Sequence, residues 1–420
     1  MALIVQKFGG SSVADAAGIA RVADRVAATK RAGNDVVVVV SAMGDSTDEL
    51  LDLAASITDD PPAREMDILL TAGERISMSL LAMAISARGV PARSYTGQQA
   101  GVLTDTAYGR AQIKKMAPER IKRTLDEGGV AIVAGFQGVN DDNDVTTLGR
   151  GGSDTTAVAL AASLKAAVCE IYTDVDGIFT ADPRVVPKAR RIPLITTDET
   201  LELAAHGAKI LHLRAVEFAR RYNVPLHVRS SFSDKEGTWV RNPTEENPME
   251  DPIIAGVAHD ASQGKITVLG CPDRPGVAAR IFHVCADAGA NVDTIVQNVS
   301  PDSARTDISF TLPIEQAKST MQALQAAEDD LGFTGVKYTE SIGILSLVGA
   351  GMRTHTGISA TLFGALFDAG INIHMISTSE IRISVVLAIE DLPAALTAVH
   401  TAFDLDASAT EAVVYGGTGR

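Results

Sequence analysis

Asp35-Val-Val-Val-Val-Val40 places five β-branched residues in a row and runs straight into Ser41-Ala-Met-Gly44. A strand with one wet face alternates apolar and polar side chains. Five consecutive valines leave no face for water, so the run reads as a strand buried on both sides, as in a parallel sheet covered by helices. Outward from it, Ala2–Gln6 is a second short apolar run. Between the two lies a helical pattern with Ile19, Val22, Ala23 and Val26 on one side, stopped by Gly33. Further strands are expected at Val130–Ala134, Ala167–Tyr172 and Pro225–Ser230, and further helices at Ala63–Arg88, Gly151–Lys165 and Thr197–Tyr222. Strand and helix in alternation predict an α/β layered domain: a mostly parallel sheet, helices on both faces, right-handed connections.

Periodicity stops between Ser230 and Pro252, where Asp234-Lys-Glu-Gly237 and Asn242-Pro-Thr-Glu-Glu-Asn-Pro248 read as a linker. Beyond it the chain repeats itself. Ile266-Thr-Val-Leu-Gly270 is answered 79 residues later by Leu345-Ser-Leu-Val-Gly349. Pro275-Gly-Val277 returns as Thr356-Gly-Ile358 and Asp287-Ala-Gly-Ala-Asn291 as Asp368-Ala-Gly-Ile-Asn372, both 81 residues on. Each copy reads as the βαββαβ order of ferredoxin-like domains, and the period is too long for a solenoid. The expected division is a catalytic-type domain over 1–232, a linker over 233–252, and two small domains over 253–340 and 341–420.

The 420 residues carry 37 basic and 52 acidic side chains, a net charge of −15, with aromatics at 4%. Such a chain repels phosphate backbones and anionic membranes and lacks stacking platforms, so neither nucleic acid nor a membrane is expected as a partner. No uninterrupted apolar run reaches the roughly 18 residues a bilayer span needs, and the opening residues carry no leader pattern. Cys169, Cys271 and Cys285 are scattered and odd in number, which reads as reduced thiols in a cytoplasmic protein. No HExxH, CxxC or paired-histidine spacing is present, so no metal ligand set is expected.

Neither GxxxxGK[ST] nor a GxGxxG between strand and helix occurs, so any phosphate site uses other glycine loops. Lys7-Phe-Gly-Gly-Ser-Ser12 is one candidate: its glycines admit phosphate oxygens to backbone N–H groups and Lys7 would neutralise charge. The plainer alternative is an ordinary βα turn with a surface lysine. Thr146-Thr-Leu-Gly-Arg-Gly-Gly-Ser-Asp154 is the other, with the Arg150 fork and glycines ahead of an apolar helix; Asp154 is read as a functional carboxylate or as a helix N-cap. Ser41 to Thr47 follow the all-valine strand, at the carboxyl edge where open α/β sheets bind ligands. Glu74, on a strongly apolar helix, needs a partner: Arg75 or a ligand ammonium. Tyr172-Thr-Asp-Val-Asp-Gly-Ile-Phe-Thr-Ala-Asp-Pro-Arg184 is a turn-rich loop, open to a magnesium nucleotide, to calcium, or to a merely structural role; its spacing is not that of an EF-hand.

These stretches, with Gly73-Glu-Arg75 and Gly207-Ala-Lys-Ile-Leu-His212, occur in the order seen in aspartate kinases. The chain resembles that family over essentially its whole length, in the actinobacterial form with the amino acid kinase fold, a three-layer sandwich, followed by two regulatory ACT domains. Leu213 stands where many members have proline. The resemblance implies phosphoryl transfer from MgATP to the β-carboxylate of L-aspartate, at the head of lysine, threonine and methionine synthesis. An ionised carboxylate needs no general base, which suits a sequence without an activated Ser, His or Cys.

Carried over residue by residue, Lys7, Phe8, Gly9 and Gly10 would hold ATP, with Thr173, Asp174, Phe179, Asp182, Arg184 and Lys209 around the nucleotide. Ser41, Thr47, Glu74, Arg150, Gly151, Gly152 and Ser153 would hold aspartate, and Lys7, Arg150 and Asp154 would act in catalysis. The ACT turns would bind lysine and threonine. The first copy would use Asp273, Arg274, Gly276, Asn291, Asp293, Gln297 and Asn298, the second Asn372, His374, Thr378, Ser379 and Ile381. The assembly would be a homo-oligomer, or a heterotetramer with a short regulatory chain starting near Met249. The rival readings are a kinase for another carboxylate, such as acetylglutamate, or for a nucleoside monophosphate, and a non-catalytic amino-acid sensor. The missing dinucleotide fingerprint speaks against a dehydrogenase.

Overall fold

The computed structural model describes residues 2–208, 210–242, 254–299, 304–353, 355–408 and 413–415. Lys209 and Met249 lie outside the described residues.

The valine strand Asp35–Val40 sits inside an eight-stranded sheet. Leu3–Phe8 lies between it and Val168–Thr173, parallel to both. On the valine side follow Val130–Ala134 and the edge strand Ala92–Tyr95; on the other, Leu226–Ser230, Thr238–Val240 and Leu194–Ile195. The one antiparallel pair joins Leu226–Val228 to Thr238–Val240. All five valines are fully buried, and they divide by parity. Val36, Val38 and Val40 enter the core under helices Ala16–Arg31 and Ala72–Ser86. Val37 and Val39 enter the core that also holds helices Gly152–Leu164 and Leu213–Tyr222. A period of two buried on both faces is what makes the unbroken run. A four-stranded sheet, Ile113–Met116, Val102–Thr104, Gln137–Val139 and Val145–Thr147, flanks the site.

Two expected helices are broken. Ala63–Arg88 divides into Ala63–Leu70 and Ala72–Ser86 at Thr71, whose carbonyl accepts from Gln137 Nε2 at 3.4 Å. Although no run within it is unbrokenly apolar, Ala63–Ser86 contains an 18-residue window with a mean hydropathy of 1.5, long and apolar enough to cross a membrane. Its inner face packs in the core and carries the buried Glu74, as expected of a core helix pair. Thr197–Tyr222 divides at Gly207, whose φ of +106° and lack of a side chain let it pass 1.8 Å, at the position of a Cβ, from the His259 carbonyl. Leu213 is the first residue of the second piece, a position that needs no N–H and therefore takes leucine or proline alike.

The expected linker over 233–252 is shorter, because Thr238–Val240 completes the main sheet. The first repeat forms a sheet in the order Ile295–Val299, Arg305–Pro313, Gln263–Pro272, Gly335–Thr339, the full βαββαβ unit. The second is built from Ile342–Val348, Met375–Thr378 and Arg382–Ala388, and its fourth strand is Gly256–Asp260, from ahead of the first repeat. The strand that the division at 253–340 assigns to the first repeat thus hydrogen-bonds to the second. A distant pairing of this kind leaves no trace in local periodicity.

Candidate active site

Strand order reverses at Leu3–Phe8, which has Asp35–Val40 on one side and Val168–Thr173 on the other. The loops leaving these carboxyl ends diverge and leave a crevice, the usual ligand site of an open α/β sheet. A cleft of 640 Å³ lies there, lined among others by Lys7, Gly10, Ser41, Thr47, Glu74, Arg150, Gly151, Gly152, Ser153 and Asp154. Residues up to 147 positions apart in the chain, named from four separate motifs, meet on one surface.

Lys7 sits on the strand itself, paired in register with Val39 and Ile171. Its Nζ lies 2.6 Å from Asp154 Oδ1, and both side chains are largely buried. Asp154 stands in the first turn of helix Gly152–Leu164 and makes no cap; Gly151, with φ at +69°, precedes the helix instead. A charged pair so shielded, at a helix N-terminus and open to a cleft, is suited to hold anionic oxygens. Gly10 is held against the next loop: its carbonyl accepts from Gly44 N at 3.2 Å, and a Cβ would meet the Gly44 and Ala42 carbonyls at 2.9 and 3.0 Å. Phe8, expected at the nucleotide, has a fully buried ring stacked on Tyr172 at 4.6 Å, so its side chain serves the core.

Glu74 is 3% exposed. Arg75, the nearby candidate partner, is exposed and points elsewhere; Glu74 Oε1 accepts from Ala42 N at 3.1 Å and Oε2 has no partner. Burial pushes its carboxyl up to about 7, despite the backbone donors that pull it down. Arg150 is exposed and also lines the cleft.

Three residues that hold this geometry were not singled out from sequence. Asp67, fully buried, accepts from Gly109 N at 3.0 Å, Thr147 N at 2.8 Å and Thr147 Oγ1 at 2.7 Å, tying the helix to the turn at Gly109 and to the end of strand Val145–Thr147. The His212 ring lies against Gly151, where a Cβ would approach within 2.0 Å, and burial lowers its basicity. Arg214 donates to the Leu148 and Ala111 carbonyls at 3.1 and 2.9 Å, below the Arg150 loop. Only the histidine had a signal, as the last residue of the Gly207–His212 motif.

The residues expected at the nucleotide gather at and beyond the end of Val168–Thr173. Thr173, Asp174, Phe179, Asp182 and Arg184 line a cavity of 70 Å³, below the ~300 Å³ at which small-molecule sites usually begin. Arg184 lies 4.0 Å from Asp174, and Phe179 is buried in a core shared with the second repeat. Among the described residues no group of three carboxylate, His or Cys side chains stands together.

Of the residues expected at the repeat turns, Asp273, Arg274, Gly276 and Gln297 line one hollow of 350 Å³. Asn291, Asp293 and Asn298 are exposed outside it. In the second repeat Asn372, His374, Thr378 and Ser379 are exposed, with Thr378 on the edge strand, while the Ile381 carbonyl accepts from Gly349 N.

Residues 2–230 match the amino acid kinase family model, and 265–329 and 345–403 match ACT domain models. The aspartokinases of Mycolicibacterium smegmatis and Corynebacterium glutamicum are 59% and 56% identical to the chain, each over all of both sequences. Among solved structures, E. coli aspartokinase III with aspartate and ADP, described as the R-state, is similar at a TM-score of 0.82 and 28% identity, covering 95% of this chain and 99% of that one. The same enzyme with lysine and aspartate, described as the T-state, is similar at 0.72 over the same shares. Relatives of that identity from end to end, on this fold with two ACT domains behind it, show that the chain belongs to the aspartate kinase family.

Proposed function

We propose that this aspartate kinase transfers the γ-phosphoryl group of MgATP to the β-carboxylate of L-aspartate, giving 4-phospho-L-aspartate, and is inhibited by lysine and threonine acting through its ACT domains. The observation that carries the reading is one cleft with the Lys7–Asp154 pair at its base, Arg150 on its rim and a buried, half-satisfied Glu74 in its wall. A ligand with one ammonium and two carboxylates suits that set. Glu74 takes the ammonium, Arg150 the α-carboxylate, with Ser41, Thr47 and the N–H groups of Gly151–Ser153 around them.

A β-carboxylate oxygen, already ionised, then attacks the γ-phosphorus in line as the bond to the β,γ-bridging oxygen breaks and ADP departs. No proton has to move, so the residues position and neutralise. Lys7 draws charge from the transferring oxygens while Asp154 holds its ammonium in place; Gly9 and Gly10 bring backbone N–H groups close. Mg²⁺ bound to the nucleotide phosphates would supply Lewis acidity there, in keeping with the small number of protein ligands it commonly uses. Asp174, Asp182 and Arg184 stand on the nucleotide side.

The test is hydroxamate trapping of the acyl phosphate with MgATP and L-aspartate, repeated with lysine, threonine and both. Product that falls sharply only with both supports the kinase and the paired sensors together. Product indifferent to either removes the regulatory assignment, and no product with aspartate but turnover of acetylglutamate favours the rival substrate. Asn298→Ala or Ser379→Ala is expected to relieve inhibition and leave uninhibited turnover within about twofold, since both lie on exposed ACT edges away from the cleft. Inhibition curves that do not move exclude these two residues.

We place the enzyme in the cytoplasm, in keeping with three buried free cysteines. A homo-oligomer is distinguished from a heterotetramer with a chain begun at Met249 by whether native purification gives one band or two.

A further inference from the structure

Loop 174–191, which carries Asp174, Asp182 and Arg184, is gripped along its length by the second ACT domain. Val175 and Ala189 form isolated bridges with Val414 and Asp406. Val257 N donates to the Thr180 carbonyl at 2.7 Å, and Ala407 N to the Lys188 carbonyl at 2.8 Å. At its centre Thr180 Oγ1 lies 2.8 Å from His400 Nε2, across 220 residues of sequence. His400 Nδ1 lies 2.8 Å from Asp406 Oδ1. Asp406 is held in turn by Thr401 Oγ1 at 3.2 Å and Lys188 Nζ at 3.7 Å.

The donors can be assigned. Asp406, ionised beside a lysine, only accepts, so His400 carries its proton on Nδ1 and presents a lone pair at Nε2. Thr180 then donates its O–H to His400 and accepts the Arg190 N–H at 2.9 Å. Carboxylate, imidazole and hydroxyl in line is the order of a nucleophilic triad. Here the hydroxyl is 2% exposed and the imidazole fully buried, so no substrate reaches them. The line fixes geometry instead. It sets the Thr180 backbone, and with it Phe179 and Ala181, which wall the nucleotide-side cavity.

We propose that Thr180 and His400 are positioning residues for nucleotide binding, the buried contact through which the second ACT domain holds the ATP side of the active site. The inference rests on the proposed nucleotide role of Asp174, Asp182 and Arg184. The lock is specific: a hydroxyl must donate to the imidazole and accept from Arg190 at once, which serine can do and valine cannot.

The experiment measures KM for ATP, KM for aspartate and ADP affinity by calorimetry on the full-length chain. Thr180→Val is expected to raise KM for ATP and weaken ADP about tenfold, as loss of one buried hydrogen-bonded pair does, with KM for aspartate within about twofold. Thr180→Ser restores ADP affinity. Should Thr180→Val fail to fold, His400→Leu carries the same expectation, because it offers Thr180 no acceptor and drops the Asp406 contact as well. Unchanged ADP affinity in a folded variant overturns the relay if Arg184→Ala weakens ADP. If Arg184→Ala leaves ADP unmoved as well, the nucleotide is not on this loop and the underlying reading falls. Equal rises in both KM values, or no rescue by Thr180→Ser, mark a packing defect and overturn the proposal.

Discussion

Lys7→Ala lowers kcat by about a thousandfold or more, in the range seen when a cation or donor aimed at a transferring phosphoryl group is removed. In the proposed reaction the nucleophile is an ionised carboxylate and there is no base whose loss could dominate, so charge neutralisation would carry most of the barrier. Lys7 is the cation we propose for that work: it stands on a strand hydrogen-bonded on both sides, and Asp154 holds its ammonium at 2.6 Å. Asp154→Ala acts on the same atoms by releasing the lysine. The pair therefore behaves as one unit, and the double variant loses little more than Lys7→Ala alone. Single-turnover phosphoryl transfer measures this, with circular dichroism and thermal unfolding as the fold control. Unpairing a shielded charge costs a few kcal/mol of stability, which the unfolding curve registers separately from kcat. Near-normal kcat in folded Lys7→Ala, or a double variant worse than either single by the product of both, removes the pair from the chemistry.

How much of this was legible follows from the range of the interactions. The valine run announced a doubly covered parallel strand because burial on two faces is written in consecutive residues. The glycine loops announced themselves because only glycine tolerates the approach of Gly10 to two carbonyls, or of Gly151 to an imidazole. Site residues from distant motifs converge because strand order reverses at one place, a property of topology that alternating elements imply.

What escaped is long-range. Thr71 interrupts a helix whose apolar pattern continues through it, and its carbonyl meets Gln137 of another element. Gly256–Asp260 reads as the start of one repeat and pairs with the other, since edge pairing depends on what lies beside a strand in space. Asp67 looks like one more acidic residue of an amphipathic helix, yet it is a buried clamp on a turn and a strand end. Phe8 and Phe179 sit within recognisable nucleotide motifs, but their rings fill the core. A motif marks which backbone approaches a ligand; it does not say which side chains face it.

Glu74→Gln separates binding from stability in opposite directions. The glutamate lies in the first turn of helix Ala72–Ser86, where the helix dipole favours a negative charge, yet burial outweighs the dipole and lifts its carboxyl to about 7. A folded-state value above the ordinary 4.5 means stability that is complete below about pH 4.5 and lost as pH rises through 7, of order 3 kcal/mol. Glutamine stays neutral, so above pH 7 the free variant unfolds at a higher temperature than the parent, while below pH 5 the two coincide. Aspartate binding moves the other way. The ligand ammonium completes the orphaned Oε2, so its loss raises KM for aspartate roughly a hundredfold, with kcat much less affected. In the parent, binding first requires Glu74 to release its proton. KM for aspartate therefore climbs about tenfold per pH unit below 7, and the glutamine variant is flat across the same interval. Thermal unfolding and initial rates between pH 5.5 and 8.5 read both effects on one preparation. A Glu74→Gln enzyme that keeps the parent's KM and its pH slope would place the ammonium elsewhere.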